Sequence, residues 1–226
     1  MKVIIGAQIE EIESIKDLLK DAEEQQHFTI KYLVGKINNQ DVVLAQGGIG
    51  AAATVMLITL LKTKFDIEYI INVGTAGGVG HKGLKPMDVV ISDNLAYYDA
   101  DVTAFGYKIG QMAGCPRAFK ADEKLVSLLK EQNPTFKVGD MLSGDKFVCD
   151  KHNPNEYIEE NFADLNILTT DMESTSLANA CYLLNIPFAV VRVVSDILGS
   201  DGQKESYEEV LKVSSHVAKE VINKLI

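Results

Sequence analysis

The stretch NILTTDMESTSLANACYLLNIP, Asn166 to Pro187, sets the class of the fold. An apolar, β-branched run from Ile167 to Thr170 reads as a buried strand. It passes through Asp171-Met172-Glu173 into Ser174–Leu184, a small-residue helix pattern carrying Leu177, Ala178, Ala180, Cys181 and Leu184. A strand that turns directly into a helix is the unit of an α/β protein. The two carboxylates at the junction need a reason, because buried acids require partners. One reason is local: an acid at a helix N-terminus caps free N–H groups and complements the dipole. The other is a ligand site, since open α/β sheets bind ligands beyond the carboxyl ends of their strands.

The same alternation extends in both directions. Strand patterns occur at Val3–Gly6, Thr29–Val34, Val42–Gln46, Tyr69–Val73, Val89–Ser92, Val138–Leu142 and Phe188–Val194. Helix patterns occur at Ile9–Lys20, Ala51–Thr63, Lys124–Lys130, Pro154–Asn161 and Tyr207–Leu225. In the last, Val210, Val213, Val217, Val221 and Leu225 define an amphipathic face. Thr29–Val34 and Val42–Gln46 flank Asn38-Asn39-Gln40-Asp41 and read as an antiparallel hairpin. The expectation is one α/β domain over residues 1–226, a three-layer α/β/α arrangement around a mixed, twisted sheet. Ala96–Arg117 reads as a long irregular segment, and loops of that length serve a site or an interface.

Composition excludes several function classes. A formal net charge of −10 disfavours a nucleic-acid partner. There is no basic cluster for an anionic membrane and no apolar run of spanning length. Cys115, Cys149 and Cys181 lie far apart without a CxxC, which fits reduced thiols in a cytoplasm. His27, His81, His152 and His216 have no zinc spacing, so no metal is expected.

Polar residues gather where strands end. Glu10 and Glu11 follow the first strand, Gly47, Gly48 and Gly50 follow Val42–Gln46, and NVGTAGGVG runs on from Tyr69–Val73. SGDKF (Ser143–Phe147), Asp171 with Glu173, and Ser195-Asp196 follow three later strands. Neither glycine loop matches a dinucleotide fingerprint or a Walker loop. Arg192, within VVRVVSD, is expected to be buried and so to need an anion, with Glu11 and Glu173 as candidates. A structural ion pair accounts for it equally well.

VIIGAQIEEI, INVGTAGG, YDADVTAFGYKIGQMAGCP, LSGDKF, DMES and VVRVVSD together carry a resemblance. Essentially end to end, the chain resembles the 5′-methylthioadenosine/S-adenosylhomocysteine nucleosidases of the nucleoside phosphorylase superfamily. The resemblance implies a cofactor-free, homodimeric hydrolase that splits 5′-modified adenosines into adenine and a 5-substituted ribose. It further implies roles for residues. Asp196, hydrogen-bonded to Ser195, protonates purine N7; the apolar Val193, Val194, Ile197 and Leu198 around it would keep its proton on. Glu11 activates water, Glu173 holds the ribose hydroxyls beside Met172, and Arg192 helps hold the water. Phe147 stacks on adenine, the Val148 backbone reads its Watson–Crick edge, and Thr75, Ala76 and Gly77 line the sugar side. Tyr207, at the start of the last helix, closes over the nucleoside. Val102 and Phe105 cover the 5′ group from the partner subunit. Asp171 keeps the capping role. Gln8-Ile9, GGIGAAA, Thr75 and Ala113 depart from the family pattern and bear on the shape of the ribose and 5′ pockets. The alternatives are a purine nucleoside phosphorylase, an inactive adenosine-binding protein of the same fold, and a dinucleotide-binding oxidoreductase.

Overall fold

A computed structural model describes residues 1–148 and 154–226. Cys149 and His152 lie outside them. The strands are β1 (Lys2–Gly6), β2 (Lys20–His27), β3 (Ile30–Ile37), β4 (Gln40–Gln46), β5 (Tyr69–Gly78), β6 (Val89–Tyr97), β7 (Phe119–Lys120), β8 (Lys137–Ser143), β9 (Ile167–Asp171) and β10 (Phe188–Ile197). The helices are α1 (Ile9–Ile12), α2 (Ala51–Lys64), α3 (Glu123–Gln132), α4 (Pro154–Phe162), α5 (Ser174–Leu184) and α6 (Gln203–Leu225).

The sheet is mixed, as expected. β4, β1, β5 and β10 run parallel, while β3 and β2 extend the β4 side antiparallel. On the other side β5 also pairs with β9, β9 with β8, β8 with β6, and β6 with β10. Since β10 also pairs with β5, these five strands close on themselves. Helices cover both faces. α2 and α5 place Leu57, Ile58, Leu61, Leu177 and Cys181 in one core. α6, α1 and α3 place Val221, Ile222, Ile12 and Leu129 in another.

The β3–β4 hairpin turns on Asn38 and Asn39, both left-handed at φ 47° and 66°, the twist that a two-residue hairpin requires. α5 has the expected bounds. Several expectations are corrected. The helix expected over Ile9–Lys20 is one α turn followed by a 3₁₀ stretch, Glu13–Leu18. Ile9, Ile12, Ile15 and Leu18 recur every third residue and all pack on the same core. That spacing matches three residues per turn better than 3.6. β2 was not expected; its sequence KDAEEQQH is almost wholly polar, as suits an edge strand paired on one side only. On α6, Val213 is exposed, and Ser214 and Ala218 take the inward positions between Val210 and Val221. Small residues there let the helix lie close to the sheet.

β5 and β10 do not stop at Val73 and Val194 but continue side by side to Gly78 and Ile197. A bulge between Val194 and Asp196 lets two residues of β10 face one step of β5. Ser195-Asp196 and Thr75–Gly77 are therefore strand residues, and Gly77 pairs with Thr170 near the end of β9. The segment read as irregular from Ala96 begins later, because β6 carries Ala96 and Tyr97.

Candidate active site

A cleft of about 700 Å³ lies above these strand ends. Its walls include Glu11, Thr75, Ala76, Gly77, Phe147, Val148, Met172, Glu173, Ser195, Asp196 and Tyr207. They come from widely separated parts of the chain. Arg192, Val102 and Phe105 do not line it.

Glu11 is buried at the third position of α1. Its Oε2 accepts the backbone N–H groups of Ala7 at 2.8 Å and Gln8 at 3.0 Å. Oε1 accepts the backbone N–H of Thr75 at 2.9 Å and its hydroxyl at 3.1 Å. Four donors fix the carboxylate at the cleft floor. The approach of β5 to it depends on Gly74. A Cβ there would lie 2.8 Å from both Glu11 Oε1 and a terminal nitrogen of Arg192. Gly74→Ala is expected to cost ~1–3 kcal/mol of stability through overpacking. By displacing Glu11 it should also lower kcat about a hundredfold. Steady-state kinetics beside a melting curve checks this; an unchanged kcat in a folded variant would show that Glu11 does not need that position.

Arg192 is 1 % exposed, and its partner is neither Glu11 nor Glu173. Nε donates to Asp171 Oδ2 at 2.7 Å, and one terminal nitrogen donates to Ser174 Oγ at 2.8 Å and to Asn72 Oδ1. The guanidinium lies behind the cleft wall, turned to the nearest carboxylate. Among the described residues its other terminal nitrogen has no hydrogen-bond partner, and it sits beside Glu11, where its charge acts without contact.

The two acids of the opening stretch divide the work. Asp171 caps α5, accepting the backbone N–H of Ser174 at 3.2 Å, and also takes the hydroxyls of Ser143 and Ser174. The Glu173 side chain makes no capping bond to its own helix. Its Oε1 accepts the backbone N–H of Gly50 at 2.9 Å, at the head of α2, and its carboxyl faces the cleft. Burial, reinforced by the charge of Asp171, raises its pKa to about 7, against the pull of Arg192 and the Gly50 N–H.

At the opposite wall Asp196 is buried, accepting the hydroxyl of Ser195 on Oδ1 and the amide of Gln203 on Oδ2 at 2.7 Å. Burial raises its pKa, and the two hydrogen bonds oppose the shift. Phe147 and Tyr207 stand edge to face, centroids 5.6 Å apart, between this wall and solvent. Tyr207 is in the second turn of α6, since the helix begins at Gln203, and its hydroxyl accepts from Gln8 at 2.6 Å. Gln203 and the Gly50 N–H were not singled out in the sequence. A Gln in the polar run GSDGQKES looks like any loop residue, and a backbone donor carries no residue signature.

A buried acid with a raised pKa stands across the cleft from a firmly held carboxylate. A third carboxyl and two aromatic rings line the same cleft. That arrangement can protonate a leaving group, orient water and grip a diol. A family model described as phosphorylase superfamily matches residues 2–226. A 5′-methylthioadenosine/S-adenosylhomocysteine nucleosidase of Haemophilus influenzae (strain PittEE) is 43 % identical over the full length of both chains. The chain belongs to the methylthioadenosine/S-adenosylhomocysteine nucleosidase family. The Streptococcus pneumoniae nucleosidase of that name, in complex with 8-aminoadenine, superposes with a TM-score of 0.92 at 33 % identity, covering 99 % of this chain and 97 % of its own. The Neisseria meningitidis member, in complex with methylthio-immucillin-A, gives 0.92 at 30 % identity, with 99 % and 97 % covered. Within this nucleosidase family fold, Val102 precedes a 3₁₀ turn, Thr103–Phe105, whose last residue Phe105 is 82 % exposed. Among the described residues no helix is long and apolar enough to cross a membrane.

Proposed function

We propose that this chain hydrolyses the N-glycosidic bond of 5′-methylthioadenosine and S-adenosylhomocysteine, and of 5′-deoxyadenosine. The products are adenine and the 5-substituted ribose. The observation that carries the reading is the pairing of a buried Asp196, whose pKa burial raises, with a Glu11 carboxylate fixed by four donors in one cleft. As the C1′–N9 bond breaks, its electrons pass to the purine and N7 takes the proton of Asp196. C1′ becomes cationic, and the Glu11 carboxylate held beside it stabilises that charge. Water adds its oxygen to C1′ while Glu11 accepts its proton. Glu173 accepts the ribose hydroxyls, Met172 packs on the sugar, and Thr75, Ala76 and Gly77 form the floor beneath it. Phe147 stacks on the base, the Val148 backbone meets its Watson–Crick edge, and Tyr207 closes over the nucleoside. Ser195 orients Asp196. Arg192 acts from behind, by charge on Glu11 and by holding Asp171.

A phosphorylase would have to hold a phosphate dianion, normally with arginine forks. Arg192 is committed to Asp171, and Arg117 is paired with Asp164 away from the cleft. Incubating the chain with methylthioadenosine, S-adenosylhomocysteine, 5′-deoxyadenosine and a futalosine-type nucleoside, with and without phosphate, tests the reading. Free adenine and a reducing sugar at equal rates in both buffers are expected. Ribose 1-phosphate products would replace hydrolysis by phosphorolysis.

The active unit is a cytoplasmic homodimer. Phe105, Met56 on α2, and Tyr182 and Leu183 on α5 are large apolar side chains exposed on a single chain. α2 packs beside α5, so a two-fold contact would cover them in pairs. Phe105 then covers the 5′ group bound in the partner. Phe105→Ala should raise KM for methylthioadenosine about fivefold to a hundredfold, ~1–3 kcal/mol, and leave adenosine nearly unchanged. Kinetics with both nucleosides, alongside sedimentation, decides: an active monomer removes the shared pocket, and equal KM changes remove Phe105 from the 5′ site.

A further inference from the structure

Gln203, the first residue of α6, is buried, and the reaction above gives its side chain no task. Its amide nitrogen donates to two acceptors of the purine wall, Asp196 Oδ2 at 2.7 Å and the carbonyl of Val148 at 2.8 Å. A backbone carbonyl only accepts, so the nitrogen end of the amide is fixed. The amide oxygen accepts from the Gly199 N–H at 3.4 Å.

A 6-aminopurine makes the same demand of this wall. N7 and the 6-amino group lie side by side on one edge of the base. A carboxyl that meets N7 with one oxygen offers the other to an amino hydrogen. The second amino hydrogen points to the Watson–Crick side, toward the Val148 carbonyl. One nitrogen bearing two hydrogens then bridges Asp196 Oδ2 and Val148 O, as the nitrogen of Gln203 does.

We propose that Gln203 is an internal stand-in for the purine's 6-amino group, pairing both acceptors until a 6-amino base displaces it. The inference rests on Asp196 being the N7 acid. It assigns Gln203 a part in specificity. A base with a donor at C6 repays the displaced amide bond for bond. A 6-oxo base would set an acceptor against two acceptors and repay nothing. The chain beside Gln203 suits such a swing: Gly199 and Gly202 hold left-handed conformations, φ 75° and 72°, which glycine adopts freely.

Binding of adenine and of unsubstituted purine to the full chain and to Gln203→Leu, by calorimetry, tests this. Purine leaves Gln203 in place in the unaltered chain but leaves two buried acceptors unpaired in the variant. The adenine-to-purine affinity ratio should therefore rise about tenfold or more in the variant, with adenine itself binding more tightly. Equal weakening of both ligands would make Gln203 a structural strut. A larger loss for adenine would make it a partner of the bound base. Either overturns the proposal while leaving the nucleosidase reading intact, whereas an unaltered chain that fails to bind adenine removes both. A second readout needs no variant. With glutamine side-chain amides labelled, adenine should move the Gln203 NH₂ signals toward solvent-exposed values and purine should not; identical signals with both ligands would overturn the displacement.

Discussion

Glu11→Gln should lower kcat about a thousandfold, ~4 kcal/mol of barrier, while adenine still binds within about tenfold of the unaltered affinity. Both Glu11 oxygens face donors: the N–H groups of Ala7 and Gln8 on one side, the N–H and hydroxyl of Thr75 on the other. An amide must turn its NH₂ toward one of these pairs, which costs ~1–3 kcal/mol and shifts the group as well as removing its basicity. The purine wall lies across the cleft and is untouched, hence the retained binding. Single-turnover rates with methylthioadenosine, together with adenine titrations, measure the two effects separately. Retention of more than about a tenth of kcat, ~1.4 kcal/mol, would end the assignment of Glu11 as the base.

Asp196→Asn should remove about two to three orders of magnitude from kcat on adenine nucleosides. The amide can still accept from Gln203 and donate to Ser195, so the local fold is kept, but it has no proton to give to N7. A nitrophenyl riboside leaves as a stable phenolate without protonation, so its rate should fall less than about tenfold. Comparing the two substrates on one preparation isolates proton transfer. Equal losses would mean that Asp196 serves binding or folding.

Much of this architecture was legible in the sequence where local and tertiary forces agree. α5 and the Asn38-Asn39 hairpin are such places: helix pattern, small residues and turn chemistry match their final surroundings. The 3₁₀ stretch was missed because a repeat of three and a repeat of 3.6 are hard to separate over so short a run. β2 was missed because an edge strand with no buried face writes no apolar alternation. The lengths of β5 and β10 escaped because Gly74, Thr75, Gly77, Gly78 and Ser195 are turn-forming types. They extend here because neighbouring strands supply their hydrogen bonds, β5 and β10 to each other and β9 to the end of β5. For the site, the cleft carboxylates could be placed by resemblance. The partner of Arg192 could not: Asp171, Glu173 and Glu11 are chemically alike, and packing alone chose Asp171. Gln203 had no signal beyond a polar residue ahead of an amphipathic helix.

The hydrogen bonds around the two opposed carboxyls differ in kind, and that difference governs how the protein can drift. Three of the four donors to Glu11 are backbone N–H groups, which no side-chain replacement outside proline deletes. Asp196 is held by two side chains, Ser195 and Gln203, each a single codon change from loss. Under the proposed roles, the water-activating half is therefore buffered against mutation, and the base-recognising half is exposed to it. Descendants of this chain should keep hydrolysis long after their choice of leaving base has begun to wander.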